Sequence, residues 1–382
     1  PAARYLGVPA GPASPTAILR LAYDGEPGGG KLMHVYATNV LDDPWGPWVT
    51  GTALGAAARW TYLDVVDPDV ACVIVGEPGY EGAPGGFSRY CMATTDVENP
   101  RRVEAVGLRM QDLTTPEAVG RSVTTLVDPG TDELRYMVLG SVGGAFLLNN
   151  SLAKALAPSL EPPSTITVED FGVAVAAGTL GSDWPAWVAV GGAGHVLLYA
   201  VWDDPSTGMP DGPDPDDYWL QACWSGGTGF GTVLAASDVD GDGRDDLLVG
   251  ASPDIDGRET SVVLIDGSGF WDALPPAPYP DVTCEEAGTA GLLTFECSDV
   301  ADRGVECGTT SGFGASIAAG DVDSDGSSEV VIGAPGAVVS GKDEGGAVYV
   351  FDPDDPAIPL GVLRHATAER HARLGASLAV PD

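Results

Sequence analysis

An all-β protein, built from repeated four-stranded units set around an axis, is what this sequence predicts, and three observations carry the prediction. A glycine-opened segment recurs along the chain. A second, apolar strand ending in glycine follows each opener, and two copies of the unit enclose the same nine-residue acidic core. Glycine (53) and proline (31) are abundant among 382 residues, as many short strands joined by turns require. A hydrophobic fraction of 44% is enough for a large core.

The openers are Leu54-Gly55, Val119-Gly120, Phe171-Gly172, Phe230-Gly231, Phe313-Gly314 and Leu374-Gly375, with successive spacings of 65, 52, 59, 83 and 61. Each leads into small residues, as in GVAVAAG at 172–178 and GASIAAG at 314–320. Such a strand packs where neighbours crowd around an axis. The second strands are VIVGEP at 73–78, MVLGS at 137–141, VAVGG at 188–192, LLVGAS at 247–252 and VVIGAP at 330–335. Third strands follow a turn: GFSRYCM from Gly86, GAFLL from Gly144, GHVLLY from Gly194, SVVLI from Ser261 and GAVYVF from Gly346. A variable fourth segment, such as DYWLQACW at 217–224, completes the unit. Four strands per unit, repeated around an axis, is the pattern of a β-propeller.

The chain ends carry the same pattern, split. Residues 4–9 match a second strand, 16–21 a third and 31–38 a fourth, while LGASLAVPD at 374–382 aligns with FGASIAAGD at 313–321. Five whole units plus one shared by both termini predict six blades in a single domain, 1–382. The split blade comprises 1–50 plus 374–382, and strands from both ends close the ring without an open sheet edge. The 83-residue spacing leaves an insertion at about 270–310, holding Cys284, Cys297 and Cys307. Segment 203–217 is a Pro/Asp loop, and a helical reading is kept only for short pieces such as 151–156 and 366–373.

The acidic core in 229–252 sets Asp238, Asp240, Asp242 and Asp246 around Gly243. Positions one, three and five turn carboxylates into one concavity, glycine permits the sharp turn, the Arg244 carbonyl supplies position seven, and position nine closes the shell. Only oxygen donors are present, so the pattern implies a hard cation, calcium, rather than zinc or copper. The loop is shorter than that of an EF-hand, and the apolar run from Leu247 reads as a strand rather than an exit helix. In 312–335, Asp321, Asp323, Asp325, the Ser327 carbonyl and Glu329 repeat the set around Gly326. A solvated acidic turn is the ordinary reading of one such run; two copies at one spacing make two calcium sites the better account.

The formal charge of −37 argues against nucleic acid and anionic membrane as partners. It fits cation binding, and equally a surface kept acidic for solubility. Six cysteines without a Cys-x-x-Cys pair suggest disulfides and an oxidising compartment. Folding about a turn near Glu81 sets Cys72 opposite Cys91; Cys297 and Cys307 close a short loop; Cys223 and Cys284 remain as the third pair. With no secretory leader and no apolar run of membrane-spanning length, the sequence reads as a mature or trimmed ectodomain.

These residues resemble the FG-GAP repeat, the blade unit of the integrin α-subunit propeller and of many secreted bacterial surface proteins. The Phe-Gly openers at 171, 230 and 313, Gly-Ala-Pro at 333–335 and both acidic loops carry the resemblance. It implies calcium at turns between the first two strands of a blade, and ligands at the opposite face or the blade edges. Integrin propellers usually have seven blades, which makes seven the alternative to six. In the unit opening at Phe171 the ligand positions fall on Thr179, Gly181, Asp183 and Trp187, so that site is lost. Units opening at Gly55 and Gly120 keep acids (Asp64, Asp67, Asp69; Asp128, Asp132) without the spacing, and no metal is expected there.

Catalytic signatures are sparse. GEPGGGKL at 25–32 lacks the final Ser or Thr of a phosphate loop and reads as a hairpin turn. The sequence contains no Gly-x-Ser-x-Gly elbow and no His-Glu-x-x-His, and His195 in an apolar strand reads as packed. Tryptophans at 184, 187, 202, 219 and 224 could stack on sugars, but packing between blades is the better account. The reading is a secreted or cell-surface, calcium-stabilised and non-catalytic module that binds a protein or glycan. The alternative is a polysaccharide-acting enzyme, or an accessory domain of one, using acidic loop residues as general acid and base.

Overall fold

The computed structural model describes residues 4–8, 17–23, 33–37, 58–62, 70–77, 86–93, 102–109, 118–127, 134–149, 159–181, 186–201, 218–251, 261–270, 282–287, 292–297, 304–308, 310–322, 327–367, 369–378 and 380. They fall into two compact units, divided after residue 161. The first unit holds β1 (Arg4–Val8), β2 (Ala17–Tyr23) and β3 (Met33–Ala37) as one antiparallel sheet in chain order. Two four-stranded meanders follow it. One is β4 (Ala58–Tyr62), β5 (Val70–Glu77), β6 (Gly86–Ala93) and β7 (Arg102–Arg109). The other is β8 (Ser122–Val127), β9 (Leu134–Ser141), β10 (Gly144–Asn149) and β11 (Ser159–Leu160).

The second unit begins with the meander β12 (Glu169–Thr179), β13 (Ala186–Ala193), β14 (His195–Val201) and β15 (Tyr218–Ser225). Next come β16 (Phe230–Ser237), β17 (Asp246–Ala251), β18 (Ser261–Ile265) and a 3-10 turn at Gly267–Phe270. Beyond the turn lie β19 (Glu285–Glu286), β20 (Leu293–Glu296) and β21 (Val305–Glu306). The last strands are β22 (Ser316–Gly320), β23 (Glu329–Ala334), β24 (Val338–Val339), β25 (Ala347–Phe351) and β26 (Gly361–Arg364). Strands β16-β17-β18-β20 and β22-β23-β25-β26 form two more four-stranded antiparallel sheets. In the sheets that begin at β4, β8, β12, β16 and β22 the expected first, second, third and fourth strands are therefore found in that spatial order.

The stretch expected as an insertion, about 270–310, supplies β20, the fourth strand of its own sheet, and is held through its cysteines. β19 pairs in parallel with the outer strand β15, Trp224 opposite Glu285, beside the Cys223–Cys284 disulfide. Cys297–Cys307 closes the shorter loop, and β21 pairs with β24. Cys72 and Cys91 stand directly opposite in the β5–β6 register, the arrangement the spacing predicts. Two expectations differ. Residues 366–373 form turns rather than a helix among the described positions, and 374–378 carry no strand; Leu374 bridges Gly346 instead. Segments 25–32 and 151–156 lie outside the described residues, as does most of 203–217.

The near-continuous apolar second strands reflect burial on both faces. Along β17, Leu247 and Val249 pack with Trp187, Ala189, Val196 and Leu198 of the preceding sheet. Leu248 points the other way, into a cluster with Val330, Ile332, Tyr349 and Phe351 of the next sheet. Alternation with period two thus feeds two cores rather than one core and solvent. Each fully buried aliphatic side chain is worth about 1.5–3 kcal/mol. The Phe313 ring of one opener sits edge-on to Tyr349 at 5.4 Å and to Phe351 at 6.1 Å.

The openers are glycine for a geometric reason. Gly120, Gly172, Gly231, Gly314 and Gly375 share φ between 84° and 89°, a left-handed region that side chains resist. The glycine ending the second strand is needed for approach rather than for φ. A Cβ at Gly76, Gly191, Gly250 or Gly333 would strike the carbonyl oxygen of Gly120, Gly231, Gly314 or Gly375 respectively. The two repeated glycines are thus the two halves of one contact between successive sheets within each compact unit.

Candidate metal centre

The acidic loop 238–246 joins β16 to β17, with Ser237 opposite Asp246 in register. Its fold is written largely by the aspartates themselves. Asp238 accepts the Gly241 N–H through Oδ1 at 2.9 Å and the Gly243 N–H through Oδ2 at 2.9 Å. Asp240 Oδ1 accepts the Asp242 N–H at 3.0 Å, and Asp242 Oδ1 accepts the Arg244 N–H at 2.8 Å. Short acidic side chains capping amides two to five residues on make the tight turn. Gly241 (φ 76°) and Gly243 (φ 86°) supply its left-handed positions.

Asp246 is buried, 2% exposed, and both its oxygens are engaged. Oδ2 accepts the Val239 N–H at 2.9 Å and Oδ1 the Gly267 N–H at 2.7 Å. Burial nevertheless raises its pKa to about 6, against those two bonds, and the neighbouring charges of Asp240 and Asp266 push the same way. Asp240 is also raised, chiefly by desolvation, with Asp242, Asp266 and Asp238 adding repulsion. Carboxylate oxygens of Asp238, Asp240 and Asp246 come within 4.8 Å of one another. Three hard donors converging this closely, two of them held uncomfortably as anions, fit a divalent cation that takes oxygen ligands.

Of the expected ligand set, the structure therefore brings together Asp238, Asp240 and Asp246. Asp242 lies outside that group and spends one oxygen on the Arg244 amide, while the Arg244 guanidinium reaches the Ser268 carbonyl at 3.4 Å. Sequence spacing did not reveal Asp266, which follows β18 and adds negative potential to the site; only strand pairing carries it there.

In the second loop, Glu329 is buried, 2% exposed, and accepts the Val322 N–H at 2.7 Å, the counterpart of the Val239–Asp246 bond. Gly320 stands opposite Glu329 as Ser237 stands opposite Asp246. Asp321 and Ser327 belong to the described residues; Asp323 and Asp325 lie outside them.

In the sheet that opens at Phe171, Gly178 stands opposite Trp187 at this same register rank. Trp187 is fully buried, so an indole occupies the place of the ninth-position carboxylate, and no cation set forms there among the described residues. Asp183 lies outside the described residues.

The FG-GAP repeat profile matches residues 230–264 and 313–351, each segment containing one acidic loop. No curated protein sequence matches the chain. Among solved structures, a humanized mutant of the Chaetomium thermophilum Polycomb Repressive Complex 2 bound to the inhibitor GSK126 is similar at 12% identity and TM-score 0.42, covering 92% of this chain and 66% of that one. A Synechocystis apocarotenoid oxygenase mutant is similar at 9% identity and TM-score 0.43, covering 94% and 69%. The Dos1 propeller is similar at 12% identity and TM-score 0.37, covering 81% and 73%.

Proposed function

We propose that this chain, an FG-GAP repeat protein, is an extracellular calcium-stabilised β-propeller that binds a protein or glycan without catalysing a reaction. The observation that carries this reading is the convergence of Asp238, Asp240 and Asp246 within 4.8 Å on the hairpin of a matched repeat. Bound calcium would turn mutual repulsion into coordination. Two like charges ~5 Å apart repel by about 3 kcal/mol at an effective dielectric of about 20. The second matched repeat carries the same donor types at 321–329, which supports a second calcium site. Two disulfides in the described residues support an oxidising, extracellular setting. No helix among the described residues is long and apolar enough to cross a membrane.

A carboxyl with a pKa of about 6 would suit a general acid, but burial and two backbone hydrogen bonds keep Asp246 from a substrate. That favours structure over catalysis for the acidic loops. Recognition would then fall to variable loops on a rigid scaffold. For the architecture we take six blades in one ring, the termini sharing a blade. Gly375 repeats the opener conformation and packs on Gly333, which supports a further unit opening there, while β1–β3 offer three strands. The deciding experiment is a glycan and surface-protein binding array, run in millimolar calcium and in chelator. Calcium-dependent capture of a ligand that is released unchanged is the expected result; turnover of a polysaccharide on the array would replace this reading with the enzymatic one.

A further inference from the structure

We infer that Asp245, which is not one of the expected ligands, is a positioning residue for the cation loop, anchoring it to the end of β12 in the preceding sheet. The inference rests on the calcium reading of 238–246. Asp245 sits between the expected seventh and ninth positions, Arg244 and Asp246. Its N–H donates to the Thr179 carbonyl at 2.8 Å. Its Oδ2 accepts the Thr179 N–H at 2.7 Å and the Thr179 Oγ–H at 3.1 Å. One residue therefore makes three hydrogen bonds to a single partner 66 positions away, two of them through one side-chain oxygen.

The surroundings are shaped for this contact. A Cβ on Gly178 would lie 2.6 Å from the Asp245 Cβ and would also strike the Trp187 ring. On the other side, a Cβ on Gly267 would strike the Asp245 carbonyl oxygen, and Gly267 itself donates to Asp246. The backbone between two ligand positions is thus held from both flanks, and its far anchor is Thr179 at the end of β12.

Thr179 has the register rank that Asp238 and Asp321 hold in their own sheets, the first ligand position. An acid at the eighth position can bind there only because the preceding hairpin has lost its first carboxylate. In the other loop the eighth residue is Ser328, and the residue of matching rank in the preceding sheet is Asp238, so an acid would meet an acid. The loss of the site at 179–187 and the presence of Asp245 are two sides of one arrangement. By thermodynamic reciprocity, a cation that orders 238–246 also orders the end of β12, and an intact Thr179 anchor tightens cation binding.

The test is calcium titration calorimetry in an Asp323→Ala background, which isolates the first loop, together with hydrogen exchange of peptides covering 175–181 and 238–250. Chelation should speed exchange in both peptides. Asp245→Ala should weaken calcium about tenfold, the scale of one or two lost hydrogen bonds, and leave 175–181 fast whether or not calcium is present. Asp245→Asn keeps the acceptor oxygen and should stay within about threefold of the parent. Thr179→Val removes one bond from the opposite side and reads the same coupling if Asp245→Ala does not fold. Calcium binding that leaves 175–181 unresponsive, or unchanged affinity in Asp245→Ala, overturns the inference alone. A parent protein that binds no calcium overturns the calcium reading and the inference together.

Discussion

The hairpins β12–β13 and β16–β17 share one register and solve one problem with opposite chemistry. Each must hold the turn between the first two strands of its sheet. In the first, Trp187 occupies the ninth position, fully buried among Ala189, Val196, Leu198 and Leu247. In the second, Asp246 occupies it, buried to 2% and hydrogen-bonded to two amides. The indole stabilises by packing and is indifferent to ions and pH. The carboxylate stabilises only when its charge is answered. A sheet can therefore keep the same register without a ninth-position carboxylate, provided that an apolar group of sufficient volume fills the site.

The sharpest way to break the comparison is Trp187→Ala. Emptying that site should cost about 3–5 kcal/mol, read as the same fall in urea midpoint with calcium and with chelator. A loss that calcium reverses would mean that the indole is not what holds the first hairpin.

Next in size is the pH response of Asp246, whose sign is opposite to that of a salt-bridged acid. Its folded pKa, about 6, lies above the unfolded value, so its contribution is intact at acid pH and lost as pH rises through 6. In chelator, stability should fall by at most ~3 kcal/mol between pH 4 and 7.5, and Asp246→Asn should flatten that fall. With calcium the trend should reverse, because the ion binds the deprotonated form. Denaturant unfolding at the two pH values, in each condition, measures both slopes.

Gly178→Ala probes where the two hairpins meet. The added methyl faces the Trp187 ring and Asp245, and overpacking of this kind costs about 1–3 kcal/mol. If thermal melting moved by less than the experimental scatter, the close approach at that glycine would be wrong.

The smallest effect is calcium itself. At ten times the dissociation constant each site adds about 1.4 kcal/mol. Melting with calcium and with chelator should differ accordingly in the parent protein and not in Asp240→Ala plus Asp323→Ala. Magnesium substituting equally well would sink the calcium assignment.

Much of this is legible in the sequence. The glycine-ended second strand and the third strand lie where their spacing puts them, and so does the Gly-opened strand of the sheets that start at Val119, Phe171, Phe230 and Phe313, because each rests on local backbone needs that residue type announces. After Gly375 no strand follows through residue 378. β13, β17 and β23 could be read from VAVGG, LLVGAS and VVIGAP alone. The disulfides Cys223–Cys284 and Cys297–Cys307 followed from elimination and from loop length. A helical reading of 366–373 does not hold among the described residues, because His371 (φ 62°) and Arg373 (φ 50°) are left-handed and bond to Glu344.

Within the acidic loops, sequence determined which atoms can be ligands and that they are oxygens, since nine residues with glycine at the sixth position leave the chain few ways to turn. It could not say which of them meet. Asp242 is drawn to the Arg244 amide, Asp266 arrives from another strand, and Asp245 looks as spare as Asp242 until Thr179 is beside it. Even the shared Asp-Val-Asp tripeptide divides: Val239 is fully buried with Phe295, Val305 and Phe313, whereas Val322 is 50% exposed. Burial and charge are sums over neighbours distant in the chain, and only the stacking of sheets assembles those neighbours.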